Sequence, residues 1–422
     1  MHYRKYLNFK YIFTFSTINY LQSGISFVVS VLLARQLGKE DFGYFSYGLV
    51  FANTISTAMQ FGTERTLVRD LVQLNRPDIV MWSATWIWFI FGSLISAATA
   101  VWAFLFSNMD YKAALIVAFC SFLGFARGMS PMPWFDFKGK ANYQSVILVF
   151  ERILFFVTAA VLVFFLKNEK TVIFISFVQL ITRLIALCIE WKFVLRTSTH
   201  IFKPIYGAIK KIIRENVWVW LAGLGNILMT QANQIILQDR FGPKELANYG
   251  LAIQVITIVR LLQTQLQRLT APTIAEITHD LQNGTKTIKT LYQFSILSLV
   301  LTLVMIVPLF FLSPYLIQKF VGKEYLYSIP VLNVLYLWVL FYGVAMIISQ
   351  FLLGLHLQRF AFISTCFFGL LSLLLARIFV DKYQSTGAAL SLLISHFCSV
   401  LFLFFIVLKK IKRAANTTPT IV

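Results

Sequence analysis

The stretch Tyr11–Ala34 (YIFTFSTINYLQSGISFVVSVLLA), followed by the polar turn Arg35-Gln36-Leu37-Gly38-Lys39-Glu40-Asp41, decides the fold class. The run carries no Lys, Arg, Asp or Glu, and it exceeds the roughly 20 apolar residues that a membrane-crossing helix needs. It is too long for the hydrophobic part of a signal peptide and lacks a small-residue cleavage pattern before the turn. The expectation is a first span that stays attached. Beyond the turn the chain becomes apolar again at once, so the segment reads as span, turn, span.

The same alternation continues along the chain, with apolar runs near 11–34, 43–62, 81–106, 113–130, 146–166, 171–191, 216–237, 247–268, 291–312, 328–352, 360–380 and 386–408. The fold expected is an all-α polytopic membrane protein of about 12 transmembrane helices. Composition agrees: 58% of the 422 residues are hydrophobic and 13% charged, against about 25% charged in soluble domains. Twelve spans use about 240 positions, which leaves little chain for a soluble domain.

Charge then gives orientation. The chain has 37 Lys and Arg against 17 Asp and Glu, a net charge of +20. In a soluble protein that excess would suggest nucleic acid, but here no nucleic-acid partner is expected. Connections on the N-terminal side carry more than twice as many Lys and Arg as those on the other side, so both termini are expected in the cytoplasm. The longest polar connection, 192–215, is basic and divides the chain into a six-helix lobe at 1–191 and a second at 216–422, which ends in a short basic tail. Its mildly amphipathic character suits contact with membrane lipids. Leu33–Phe42 superposes on Leu237–Leu246 with the same order of helix, Gly turn, acidic residue and helix. With six spans between the copies, the two lobes are expected to be parallel repeats.

Several chemistries are excluded. There is no GxxxxGK[ST] phosphate loop, no HExxH, no GxSxG and no Cys/His cluster, so no cofactor, metal or catalytic residue is expected. The outer connections are too short for a polymerase or transferase active site. Cys120, Cys188, Cys366 and Cys398 lie in apolar runs and read as small core hydrophobes.

The informative residues are charges placed inside spans, since an Arg at a span centre costs about 2.5–3.5 kcal/mol even on the lenient scale. Arg377 lies near an outer end, one turn from Asp381, and an i,i+4 pair with snorkelling accounts for it. Arg183 and Arg260 each lie eight residues from the nearest cytoplasmic marker, Trp191 and Arg268, or about 12 Å, too deep for comfortable snorkelling. Glu151 and Arg152 are adjacent and so point to different helix faces, one toward a cavity and the other toward a neighbouring helix. His396 reads as a hydrogen-bonded packing residue. Arg152, Arg183 and Arg260 define an expected central cationic cavity, with Glu151 as its one carboxylate, and guanidinium forks suit phosphate bidentately.

With those residues in view, the chain resembles the polysaccharide (O-antigen or capsule repeat-unit) flippases of the multidrug/oligosaccharidyl-lipid/polysaccharide exporter superfamily. The resemblance rests on Leu32–Tyr44, Phe61-Gly62 and Arg69, on Pro133-Trp134-Phe135-Asp136-Phe137-Lys138-Gly139-Lys140, and on Ser328-Ile329-Pro330-Val331-Leu332. Asp136 and Lys138 depart from the family pattern. The resemblance implies a non-enzymatic translocator in the bacterial inner membrane, carrying an undecaprenyl-pyrophosphate-linked oligosaccharide from the cytoplasmic to the periplasmic leaflet by alternating access. Other polysaccharide assembly proteins are implied as partners. Lacking an ATP site, it would draw on an ion gradient, with Glu151 as the coupling carboxylate. An ion-coupled drug antiporter of the same fold, which would carry embedded carboxylates in excess, and a membrane enzyme of lipid-linked sugar assembly are the alternatives.

Overall fold

The computed structural model describes residues 9–73, 76–107, 109–166, 168, 170–198, 205–279, 284–355 and 357–417. Among these residues the structure is helical, with no strand. In chain order the helices are α1 (Phe9–Met59), α2 (Thr63–Gln73), α3 (Pro77–Leu105), α4 (Tyr111–Gly128), α5 (Met132–Phe137), α6 (Ala141–Phe165), α7 (Thr171–Thr197), α8 (Tyr206–Thr230), α9 (Ala232–Phe241), α10 (Pro243–His279), α11 (Gly284–Leu316), α12 (Ser328–Gly354) and α13 (Gln358–Thr417).

The burial pattern of these helices is that of a membrane protein. On α11 the exposed stripe is Ile296, Val300, Val304, Val307 and Phe311, a spacing of three to four residues that places them on one face. The buried positions of the same helix include Ser295, Ser298 and Thr302. Large apolar side chains outward and small polar ones inward reverse the soluble pattern and suit helices that meet lipid outside and pack closely inside. Among the described residues, nine helical segments are long and apolar enough to cross a membrane. Two of them, Thr14–Met59 and Gln358–Lys412, are 46 and 55 residues long, and each contains one residue with non-helical backbone, Gly38 and Gln384. The polar turn that follows Ala34 thus holds the break, at Gly38, between two helical arms of α1.

The chain divides into two compact units, Met1–Gly223 and Leu224–Val422. This division falls inside α8. The segment 192–215 read as a linker is helical at both described ends, since α7 runs to Thr197 and α8 begins at Tyr206; its positions 199–204 lie outside the described residues. The run near 216–237 is broken into α8 and α9 at Gln231.

Within the first unit, α4 packs closely on α1 through small residues. A Cβ added at Gly124 would lie 2.6 Å from the Ala52 carbonyl oxygen and 2.9 Å from its Cα, and one added at Gly48 would lie 2.6 Å from Cys120 Sγ. Close backbone approach through small residues is how helices gain van der Waals contact in lipid. This contact brings the C-terminal end of α4, with Ala126 and Arg127, beside the polar faces of α6 and α7. The cysteines divide: Cys120 is buried in this packing, whereas Cys188 is exposed and Cys366 and Cys398 are partly exposed, so only the first is a core residue.

Candidate functional site

The buried face of α7 includes Gln179, Arg183, Ala186, Glu190 and Val194, a repeat of three to four residues that puts Arg183 and Glu190 two turns apart on one side. The buried face of α6 includes Gln144, Ile147, Glu151, Phe155 and Ala159. Where these faces meet, Arg183 is enclosed by carboxylates. Its Nη1 donates to Glu151 Oε2 (3.3 Å) and Glu190 Oε1 (3.5 Å), its Nη2 to Glu190 Oε2 (3.0 Å), and its Nε to the Ala126 carbonyl on α4 (3.3 Å). The side chains of Arg183, Glu151 and Glu190 are 3%, 2% and 0% exposed. Ser130 donates to Glu190 Oε2 at 3.0 Å, and Gln144 Nε2 donates to Ser130 Oγ at 3.0 Å. One guanidinium therefore ties α4, α6 and α7 together.

The residues that follow two of its partners are themselves arginines. Arg127 succeeds Ala126 and Arg152 succeeds Glu151, and the 100° rotation per residue turns both away from the clamp. Together with Arg183 and Glu151 they line a cavity of about 310 Å³, which Gln22, Gln60, Glu64, Ser130, Asp136 and Gln144 also border. Arg127 Nη1 donates to Asn53 Oδ1 at 3.3 Å. The Nε atoms of Arg127 and Arg152 are buried without a hydrogen-bond partner, and among the described residues Arg152 forms no ion pair. The lining is mixed in sign: Arg127, Arg152 and Arg183 share it with Glu64, Asp136 and Glu151. The sequence expected Glu151 as the one carboxylate of this cavity; Glu64 and Asp136 join it.

Of the sequence candidates, Glu151, Arg152 and Arg183 come together in the first unit. Arg260 lies in the second, where its guanidinium sits 4.7 Å from the Tyr342 ring centroid and 5.7 Å from that of Trp338, and donates to the Tyr342 hydroxyl at 3.1 Å. His396 packs against the same two rings, at 5.9 Å from each. Its ring nitrogens are buried without a hydrogen-bond partner, so the hydrogen-bonded role expected of it is not seen. Asp381 pairs with Arg240 at 4.0 Å, whereas Arg377 makes no ion pair among the described residues, which replaces the expected Arg377–Asp381 pair. Asp136, one of the departures from the family pattern, borders the cavity. Glu190 and Arg127 were not singled out by the sequence reading.

Fold and site together define a polytopic all-helical membrane protein with a buried charge cluster inside its first unit. The chain belongs to the polysaccharide biosynthesis protein family, which it matches over residues 9–278. A comparison with curated proteins gave no match. Solved structures share the fold. One is the lipid II flippase MurJ in an inward closed conformation, with TM-score 0.71, 17% identity and coverage of 95% of this chain and 90% of that chain. Another is an inward-facing multidrug resistance MATE family transporter of the MOP superfamily, with TM-score 0.70, 15% identity and coverage of 94% and 96%. A third is a MOP superfamily transporter from Pyrococcus furiosus whose binding pocket is described as of reverse polarity, with TM-score 0.65, 16% identity and 97% of both chains covered.

Proposed function

We propose that the protein is a non-enzymatic flippase of the bacterial inner membrane. It moves an undecaprenyl-pyrophosphate-linked oligosaccharide of the O-antigen or capsule type from the cytoplasmic to the periplasmic leaflet, exposing its site alternately to the two faces of the membrane. The observation that carries this reading is the pair Arg127 and Arg152, whose Nε atoms are buried without a partner beside a cavity of about 310 Å³. Guanidinium donors without acceptors fit a diphosphate, and the amides and Ser130 around them fit sugar hydroxyls. Membership of the polysaccharide biosynthesis family supports a glycan cargo.

The sequence candidates take different roles. Arg152 contacts the anion, Arg183 lies within its reach but is occupied by carboxylates, and Arg260, in the second unit, is a separate substrate-binding cation backed by aromatic rings. An ion gradient supplies the energy, with Glu151 as the coupling carboxylate. Arg152→Ala is expected to abolish surface polymer in cells while the protein still inserts, with Arg152→Lys retaining part of it. Deleting the gene is expected to leave the lipid-linked oligosaccharide on the cytoplasmic leaflet. Normal surface polymer with Arg152→Ala would overturn the assignment. The second reading, an ion-coupled small-molecule antiporter, draws on Glu64, Asp136 and Glu151 in the same lining; transport of an organic cation, but not of the glycan lipid, by the reconstituted protein would establish it instead.

A further inference from the structure

Three arginines border one cavity, yet one of them is held back. Arg183 lines the space, but all of its nitrogens already have acceptors. The two carboxylates that occupy it differ. Glu190 is fully buried, and Ser130 satisfies it independently of Arg183. Glu151 borders the cavity, and among the described residues its hydrogen bond comes from Arg183 Nη1.

Resting on the reading above, we propose that Glu151 is a release-tuning residue. It occupies the cavity side of Arg183, so an anionic head group meets two arginines rather than three, and the site stays weak enough to let its cargo go. A site through which a ligand must pass has to bind favourably enough to admit it and weakly enough to release it. A diphosphate held by Arg127, Arg152 and Arg183 together would gain a third charge-assisted contact and dissociate slowly. While ionised, Glu151 competes for that contact as an internal anion. Removing its charge, with its shape kept, loosens one of the two hydrogen bonds of Nη1, whose other goes to Glu190, so that donor can turn to the cavity, and it also removes a repulsion from the bound anion.

The test is titration of purified full-length protein in detergent with inorganic pyrophosphate, for the wild type, Arg152→Ala, Glu151→Gln and Glu190→Gln. Binding by the wild type and its loss in Arg152→Ala are expected from the function itself. Glu151→Gln is expected to bind about tenfold tighter, equivalent to about 1.4 kcal/mol, while Glu190→Gln shows no comparable gain. The gain should vanish in Glu151→Gln/Arg183→Gln, because Arg183 is the group set free. In vesicles, Glu151→Gln should lower both the half-saturating cargo level and the maximal rate, a combination that a loss of structure does not produce. No wild-type binding, or unchanged binding in Arg152→Ala, overturns the flippase reading of the cavity. Arg152-dependent binding that Glu151→Gln leaves unchanged or weakens overturns the role of Glu151 alone, as does equal tightening by Glu151→Gln and Glu190→Gln. Should Glu151→Gln fail to fold, Glu151→Asp draws the carboxylate back from Arg183; a smaller gain is then expected, and an equal or lower affinity overturns the proposal.

Discussion

Arg183 shows what one residue can hold together. Replacing it by Met would leave Glu151 and Glu190 buried at 2% and 0% exposure with no cation between them, and breaking a buried pair on one side costs about 3–5 kcal/mol. The expected outcome is loss of monodisperse protein on fluorescence-detected size exclusion in detergent, with recovery when Glu151→Gln and Glu190→Gln are combined with Arg183→Met. Failure of the triple variant to recover would mean that the charges are not what Arg183 balances. Arg260 makes a different case, because its contacts are ring faces and a hydroxyl. A Lys there keeps the charge but loses the planar stacking, and an aromatic-cation contact contributes about 0.5–2 kcal/mol. Arg260→Lys should therefore lower the melting temperature and surface polymer moderately, and Arg260→Ala more. The sequence pointed to Glu151, Arg152 and Arg183 because a charge inside an apolar run is costly wherever it sits. Glu190 lies at the end of the run 171–191, beside the basic connection, and its spacing of seven from Arg183 marks the same face. Arg127 sits at the end of the apolar run 113–130, just before Pro131 and Pro133, and α4 remains helical through Gly128.

At the scale of elements, the two glycine turns that suggested a duplication have nearly the same backbone. Gly38 has φ 77° and ψ 169°, and Gly242 has φ 76° and ψ −173°. That region is nearly closed to residues with a Cβ, at a cost of about 1–3 kcal/mol, although nothing lies within 4 Å of a Cβ at either site. Conformation alone therefore demands glycine. Gly38→Ala and Gly242→Ala should each destabilise by similar amounts in thermal unfolding, while Gly24→Ala, in a helix with equally open surroundings, should be neutral or stabilising. Gly124 is glycine for a different reason: its neighbour is the backbone of Ala52, which cannot rotate aside. Gly124→Val should separate α1 from α4 and cost at least about 1–3 kcal/mol, more than a change at Gly128, whose neighbour is the flexible Met59 side chain. The elements were legible wherever hydropathy changed abruptly. They were less so at Gln231, where α8 gives way to α9 without any Pro or Gly to announce it.

For the whole molecule, the sequence argued topology from charge, and the structure adds only lengths, kinks and the division into two units. The two approaches meet at the repeated turns. If α1 crosses twice, with Gly38 marking the reversal, and α8 and α9 together make one crossing, then the second arm of α1, α3, α4, α6, α7 and the α8–α9 pair put six crossings between Lys39 and Lys244, and both are expected on the outer face. Lys138 and Lys210, in the basic connections, are expected on the cytoplasmic face from the charge distribution. The check is labelling of single-cysteine variants in intact cells with a membrane-impermeant maleimide, in a background without Cys188, which is exposed. Lys39→Cys and Lys244→Cys should label from outside, and Lys138→Cys and Lys210→Cys only after permeabilisation. Labelling of Lys39→Cys and Lys244→Cys from opposite sides would make the repeats antiparallel, because an odd number of crossings inverts the second copy, and would overturn the parallel duplication.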